Sequence, residues 1–398
     1  MLTILIATEA NEGRGHVAPW SGLVSQAKRQ GYAIHMAAPD TGLVHHALGT
    51  HHAIDIWCAP SVVGARRLLQ AKRGPIGSWP ELLVDLGYAN ACALLGAVKA
   101  WRSILSAVQP HVVLADYAPA IHIAAKTLNV PFIEAGVGFC VPPLVPGAVG
   151  FPGISRFDPH AARAAANALC QAWNASLAAF GHAPIHSFSE TASWPIHRAI
   201  MSPPELDPYG PRADVLYAGL ALPDPSPWVS APPREWPLVV GYLKANTPGL
   251  NTLVSAMQKA ALPALLYVPG YSPLPSQHQS SVHFSAEPLN LAEAMQHAQF
   301  YLSNGGLTGV AQALHAGCWP IVVPQQAEQV ATARNLLQRN WGSAWHLGQG
   351  AESAPPIDPL FQPRSRQARF AGQPNAHASL LSLIRSHCET IRPIIVSQ

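Results

Sequence analysis

Between Phe300 and Leu337 the chain reads FYLSNGGLTGVAQALHAGCWPIVVPQQAEQVATARNLL, and this stretch limits the possible folds more than any other. The short apolar run Phe300 to Leu302 meets Gly305 and Gly306. It then passes into apolar residues at helical spacing that stop near Gly317, giving strand, glycine turn and helix. A second apolar run, Ile321 to Val323, leads through Pro324 to Glu328 and Gln329 at the head of another helix. Two consecutive strand ends therefore lie beside two helix starts, as they do along one edge of an open parallel sheet. That edge is where ligands bind, and the N–H groups and positive dipole end of a helix suit a phosphate.

The same alternation runs through the rest of the chain. Leu2 to Ala7 reads as a central strand, followed by the loop Glu12-Gly13-Arg14-Gly15-His16 and an amphipathic helix to about Gln30 with Pro19 in its first turn. Ala33 to Ala37 is the next strand. Val112 to Ala115 is another apolar run, ending at Asp116 and followed by the helical segment Ala120 to Leu128. Ala161 to Phe180 is an alanine-rich helix. A dense series of prolines between Ser202 and Pro237 marks the domain boundary. Six further strand candidates follow: Leu238 to Leu243, Ala264 to Val268, Ser281 to Phe284, Phe300 to Ser303, Pro320 to Val323 and Ala344 to Leu347. Strands alternating with helices indicate doubly wound parallel sheets. The expected layout is an N-terminal domain over 1–205, a linker over 206–236, a second domain over 237–374 and a terminal helical segment over 375–398.

Composition narrows the partners. At 398 residues there is room for two cores, and charged residues make up only 11% against roughly 25% in ordinary soluble chains. A net charge of +3 with no long basic run excludes a nucleic-acid partner. Apolar or lipid-like small molecules suit such a chain better, and contact with a membrane surface is compatible with it. Pro, Gly or polar residues interrupt every apolar stretch short of a membrane span of about 20 residues, and the N-terminus lacks the basic lead-in of a signal peptide. The six cysteines show no paired spacing and read as buried thiols in a reducing cytoplasm. No zinc-type ligand spacing is present, so no metal site is expected. His45, His46, His51 and His52 read as part of a solvated loop.

From Asn304 to Gln329 the spacing resembles the donor-binding signature of the UDP-glycosyltransferases, a family with the GT-B fold: two Rossmann-like α/β domains facing across a cleft. Gln312-Ala313-Leu314, Gly317, Pro324 and Ala327-Glu328-Gln329 stand at the family's intervals. Asn304 occupies the place of the usual His on the donor phosphate, and Gln312 that of the usual Glu on the ribose hydroxyls. Gly309 replaces a Ser or Thr, with Thr308 beside it. The resemblance implies a nucleoside-diphosphate sugar, UDP- or dTDP-linked, as co-substrate. It would be held by Asn304, Gly305, Gly306, Thr308 and Gln312, with Glu328 and Gln329 facing the sugar. Lys244-Ala245-Asn246-Thr247 stands where the family has Gly-Ser or Gly-Thr, and Asn246 or Thr247 is expected to cap the next helix and reach a phosphate. Ala286-Glu287-Pro288-Leu289 resembles the loop that reads the base, with Pro288 and Leu289 as base contacts and without the usual aromatic residue.

In the first half, Gly15-His16-Val17-Ala18-Pro19 resembles the family's Gly-His-x-x-Pro element, whose His is the general base. Asp116 stands where the family places the carboxylate that pairs with it. Read without the family, His16 is a turn residue and Asp116 an N-cap for the helix from Ala120. The resemblance further implies that the segments Trp57 to Leu83, with Arg66, Arg67, Lys72, Arg73 and Trp79, and Val137 to Pro152 shape the acceptor pocket, whereas read without it the first is an amphipathic surface helix and the second a long connecting loop. It also implies that the terminal helix, Asn375 to His387, returns to the first domain. The implied activity is inverting, metal-independent transfer of a sugar to an acceptor hydroxyl. Two other functions stay open: a nucleotide-sugar epimerase of the same fold, and a catalytically inactive partner protein.

Overall fold

The computed structural model describes residues 1–9, 14–48, 54–62, 76–152, 157–222, 237–272, 281–345, 357–362 and 365–395. Glu12, Gly13, His51, His52, Arg66, Arg67, Lys72, Arg73, the prolines Pro223, Pro225, Pro227, Pro232 and Pro233 and the end of the last expected strand lie outside these. The chain forms two units, Met1–Leu222 with Pro374–Gln398, and Pro223–Gln373.

The first unit runs β1 (Thr3–Thr8), α1 (Ser21–Arg29), β2 (Ala33–Ala38), α2 (Thr41–Leu48), β3 (Asp55–Cys58), α3 (Trp79–Leu86) and α4 (Ala91–Val108). It continues through β4 (Val112–Asp116), α5 (Pro119–Leu128), β5 (Phe132–Gly136), α6 (Pro159–Ala178), β6 (His197–Ile200) and β7 (Leu216–Tyr217). The sheet order is β3-β2-β1-β4-β5-β6-β7, so chain direction across the sheet reverses between β1 and β4. Those two strands pair in parallel from Ile4↔Val112 to Thr8↔Asp116. Helices cover both faces of such a sheet, which is why β1 is an unbroken apolar run with Ile4, Leu5, Ile6 and Ala7 fully buried.

Several expectations need correction. Residues 206–222, expected in the linker, belong to the first unit. β7 pairs with β6, and Asp207 accepts hydrogen bonds from Arg212 Nε at 2.9 Å and Tyr217 Oη at 2.7 Å. His45 and His46 lie on α2 rather than in a loop. The helix α4 is long and apolar enough by length and composition to cross a membrane, contrary to the interruption seen in sequence. It packs against α5 and α6, burying Leu94, Ala97, Val98, Trp101, Leu105 and Val108. All six cysteines are free, but Cys58 and Cys92 are exposed, so only part of the set behaves as core.

The second unit runs β8 (Val239–Tyr242), α7 (Leu250–Lys259), β9 (Ala264–Tyr267), β10 (Val282–Ser285), α8 (Leu291–His297) and β11 (Phe300–Ser303). It ends with α9 (Leu307–Ala316), β12 (Trp319–Val322), α10 (Ala327–Arg339) and β13 (Ser343–Ala344). Its parallel sheet has the order β10-β9-β8-β11-β12-β13, with a reversal between β8 and β11.

The last helix, α11 (Ala376–Ile395), is part of the first unit and packs on α1. Ala376, Leu380, Leu381 and Ile384 enter the same core as Ile4 and Ile6, and His377 Nε2 donates to the Pro19 carbonyl at 2.7 Å. The chain leaves the first unit just after the segment against which it returns. Leu220 N donates to Pro374 O and Ala376 N to Leu220 O, both at 2.9 Å. Gly219 is required at this crossing, because its φ is +104° and a Cβ there would stand 2.0 Å from the Pro374 carbonyl oxygen.

Candidate active site

In a doubly wound sheet, the strand ends on either side of a direction reversal leave a crevice that loops and helix starts line. In the first unit those ends are Thr8 and Asp116. Beyond β1 the chain forms two short 3-10 turns, Arg14–His16 and Ala18–Trp20, before α1 begins at Ser21. Pro19 therefore sits in the second turn, not in the first turn of α1 as its spacing had indicated. The first turn carries His16 to the end of β4, where its Nδ1 lies 3.2 Å from both carboxylate oxygens of Asp116. The second carries Trp20, whose indole Nε1 donates to Asp116 Oδ2 at 3.2 Å. The Asp116 side chain is 4% exposed and that of His16 18%. Asp116 is not a helix cap. The N-cap of α5 is Ala118, which makes no side-chain capping bond.

The surroundings fix this pair further. Gly136, at the end of β5, has no Cβ, and one built there would stand 2.8 Å from Asp116 Oδ1. Tyr117 follows Asp116 with φ +51°, a left-handed conformation that a non-glycine residue adopts only when its neighbours impose it. Its ring lies 5.7 Å from that of His16 and 5.2 Å from that of Trp79. A carboxylate against Nδ1 selects the tautomer with hydrogen on Nδ1. The lone pair is then on Nε2, and the imidazolium that forms on proton uptake is stabilised. Trp20, Tyr117 and Gly136 carry no motif that sequence reasoning could have used.

Glu9 was also missed, and it anchors the turn that presents Asp116. Its carboxylate is buried and caps α5 from another element, accepting from Ala120 N at 3.0 Å and Ile121 N at 2.8 Å. Tyr88 Oη donates to it at 2.8 Å, and Glu9 N donates to the Tyr117 carbonyl at 3.4 Å. Burial outweighs these bonds and raises its pKa from 4.5 to about 7. Folded protein thus keeps a proton that the unfolded chain has lost between pH 4.5 and about 7, so this group makes stability fall as pH rises through that window. Denaturant unfolding of wild type and Glu9→Gln across this window is expected to show their stability difference changing by about 3 kcal/mol. A constant difference would mean that Glu9 ionises normally.

In the second unit the reversal brings together the ends of β8 and β11. Asn304 follows β11 and is buried. Its Oδ1 accepts from Lys244 N at 2.9 Å, and its Nδ2 donates to Thr247 Oγ1 and to Val323 O, each at 3.0 Å. Both amide hydrogens are used within the protein, so Asn304 ties three strand ends together, and a donor phosphate could bond to its nitrogen only by displacing one of them. Asn304→Ala leaves buried polar groups unpaired and is expected to cost about 2–3 kcal/mol in denaturant unfolding. A loss below about 0.5 kcal/mol would show that the tie carries no stability.

The turn after Asn304 is a glycine turn for steric reasons. Gly305 has φ +94°, and a Cβ there would meet Val322 Cγ1 at 2.4 Å. Gly306 is the N-cap of α9 and makes no side-chain capping bond to the N–H groups of the first turn. Thr308 and Gln312, one helical turn apart on α9, are both half-buried. Glu328 is half-buried in the first turn of α10. Gln329 is buried, and its Oε1 accepts from Gln325 N at 2.7 Å and Gln326 N at 3.3 Å, forming a capping box with Gln326. Only its amide nitrogen is left to bind a sugar. Helix α7 is capped by Gly249, so neither Asn246 nor Thr247 caps it, contrary to expectation. Asn246 is exposed in the turn, while Thr247 donates to Lys244 O at 2.6 Å. Pro288 and Leu289 are both buried, and Leu289 O accepts from Leu291 N at 2.9 Å.

Both segments implied as acceptor-facing contribute to one apolar cavity in the first unit, which Trp79, Pro142, Leu144, Val149, Phe188 and Tyr209 help to line. Trp79 links this cavity through the Tyr117 ring to His16.

No protein-family model matches this chain, and no curated protein matches it by sequence. In fold it is similar to solved glycosyltransferases. The calicheamicin glycosyltransferase CalG4 aligns with a TM-score of 0.66 at 16% identity, over 100% of this chain and 99% of that one. SnogD from Streptomyces nogalater aligns at 0.65 and 15% identity, over 96% of this chain and 99% of that one. The spinosyn rhamnosyltransferase SpnG, solved with spinosyn aglycone, aligns at 0.63 and 17% identity, over 96% of this chain and 100% of that one. The chain has the GT-B fold, with two doubly wound parallel-sheet units.

Proposed function

We propose that this GT-B protein is a glycosyltransferase that moves a sugar from a nucleoside-diphosphate sugar to a hydroxyl of an apolar small molecule, with inversion at the anomeric carbon. The observation that carries the reading is the His16–Asp116 contact at the direction reversal of the first sheet. With Asp116 holding Nδ1–H, His16 Nε2 takes the acceptor's hydroxyl proton as the oxygen attacks the anomeric carbon. The bond from that carbon to the diphosphate breaks, and the diphosphate leaves with the electron pair. The uncapped first turn of α9 at Gly306 stabilises the charge that develops on it, so the scheme needs no metal ion. SpnG has been solved with thymidine diphosphate, which supports a dTDP- or UDP-sugar as the donor here. The cavity beside Trp79 gives an apolar acceptor a seat.

Calorimetric titration with nucleoside diphosphates of several bases is the direct test, followed by incubation with the sugar conjugate of the base that binds and a set of apolar alcohols. A product of inverted anomeric configuration is expected. A retained configuration would remove His16 as base, since direct displacement inverts the centre. A second reading, a catalytically inactive partner protein, draws on the internal engagement of Asn304 and of the Gln329 oxygen. It predicts that none of the nucleoside diphosphates binds. The epimerase reading predicts instead that the donor's sugar is converted without any acceptor.

A further inference from the structure

We propose that His16, Asp116 and Cys140 form a binding site for a thiophilic divalent cation of the zinc class, and that its occupancy withdraws the His16–Asp116 pair from proton transfer. The three residues come from the 3-10 turn after β1, the end of β4 and the turn Gly138–Cys140 after β5. Each offers one ligand atom, and these atoms lie within 4.8 Å of one another. The set is one imidazole, one carboxylate and one thiol, matching the ligand preferences of zinc.

One edge of the set has the separation a tetrahedral cation needs, and the sulfur edges are longer. Zinc bonds of about 2.0–2.2 Å to N and O, at a tetrahedral angle, place those two atoms about 3.3 Å apart. Nδ1 and Oδ1 are 3.2 Å apart, which is the separation two ligands of one tetrahedral cation require. A zinc-bound sulfur would stand about 3.5 Å from the other two ligands, and Cys140 Sγ already lies within 4.8 Å of both. Gly136 keeps side-chain atoms out of the space between Asp116 and Cys140, since a Cβ there would stand 2.8 Å from Asp116 Oδ1 and 3.7 Å from Cys140 Cβ. Asp116 and Cys140 are each 3% exposed, while His16 reaches solvent and gives an ion its path. Three protein ligands leave a fourth position for water.

The charge balance is favourable. Binding displaces the thiol proton to solvent, and thiolate with carboxylate neutralises the dication. Metal on Nδ1 moves the imidazole hydrogen to Nε2, so His16 has no lone pair to accept a proton. The site would thus be inhibitory, and its existence does not depend on the transferase reading.

Titrating the metal-free full chain with Co²⁺ tests it. The expected result is a sulfur-to-cobalt charge-transfer band in the near ultraviolet with the visible bands of tetrahedral cobalt, saturating at one ion per chain and bleached by Zn²⁺. These features are expected to persist when the exposed Cys58 and Cys92 are replaced by serine. Cys140→Ser is expected to abolish the charge-transfer band and weaken Zn²⁺ binding by at least about a hundredfold, beyond the loss usual for an outer-shell partner. His16→Ala, whose change is at the partly exposed member, is expected to weaken binding at least tenfold and decides the matter should Cys140→Ser not fold. Absence of the band, its survival in Cys140→Ser, or unchanged Zn²⁺ affinity in His16→Ala would each overturn the proposal. All of these readings are independent of transfer activity.

Discussion

His16→Ala is expected to lower the turnover of sugar transfer by at least about a thousandfold while changing the affinity for a nucleoside diphosphate by less than about threefold. The first figure follows from what a positioned general base contributes, about a hundred- to ten-thousandfold, together with the weak acidity of an alcohol at neutral pH. The second follows from the placement of the residue. His16 is in the first unit, whereas the glycine turn and uncapped helix proposed to hold the diphosphate are in the second. Steady-state turnover and calorimetry on the same preparation separate the two quantities. Turnover within tenfold of wild type would take the imidazole out of the mechanism.

Asp116→Asn is the sharper experiment, because it keeps the shape of the side chain and changes the tautomer. The carboxylate accepts from both His16 Nδ1 and the Trp20 indole. An asparagine can keep the Trp20 bond only by turning its oxygen toward the indole, and it then points its NH2 at His16. That donor competes for Nδ1 with the retained oxygen, which is also 3.2 Å away, and shifts the ring toward the tautomer with hydrogen on Nε2, which has no lone pair to offer the acceptor. A fall in turnover of about a hundred- to ten-thousandfold is expected, with KM for the donor nearly unchanged. Equal activity of wild type and Asp116→Asn across the pH range would show that Asp116 only packs against the ring. Trp20→Phe in the same assay reports how much of the effect comes from holding the carboxylate still.

The order of strands and helices was legible because parallel strands buried on both faces are apolar throughout, while their helices keep one polar face. Phe300–Ser303 and Trp319–Val322 fall within a residue of where the periodicity put them. The spacing from Asn304 to Gln329 located the glycine turn and two helix starts, yet it could not show what the side chains do. The amides of Asn304 and Gln329 are largely taken up by neighbouring backbone groups, and those neighbours lie up to 60 residues away. Capping of α7 was misplaced because Asn and Thr are good caps in general, whereas here Gly249 enters the helix with φ +71°. Glu9, Trp20, Gly136 and Cys140 gather around Asp116 only once the strands are in register, so no local pattern announced them. The span-like composition of α4 escaped notice because its single Gly96 and two basic residues look like interruptions, although a helix tolerates all three.

Leu220, hydrogen-bonded on both sides to the returning chain at Pro374 and Ala376, holds together the two places where the first unit's chain is interrupted, so the second unit is an insertion in the sequence of the first. The stretch 223–373 can therefore be treated as a cassette. Replacing it by the corresponding half of another protein of this fold removes none of the hydrogen bonds that seat His16, Trp20 and Asp116, and none of the packing of α11 on α1. If the proposed transfer reaction holds, cutting and rejoining the gene at two codons is expected to exchange the sugar preference while the first unit is inherited intact.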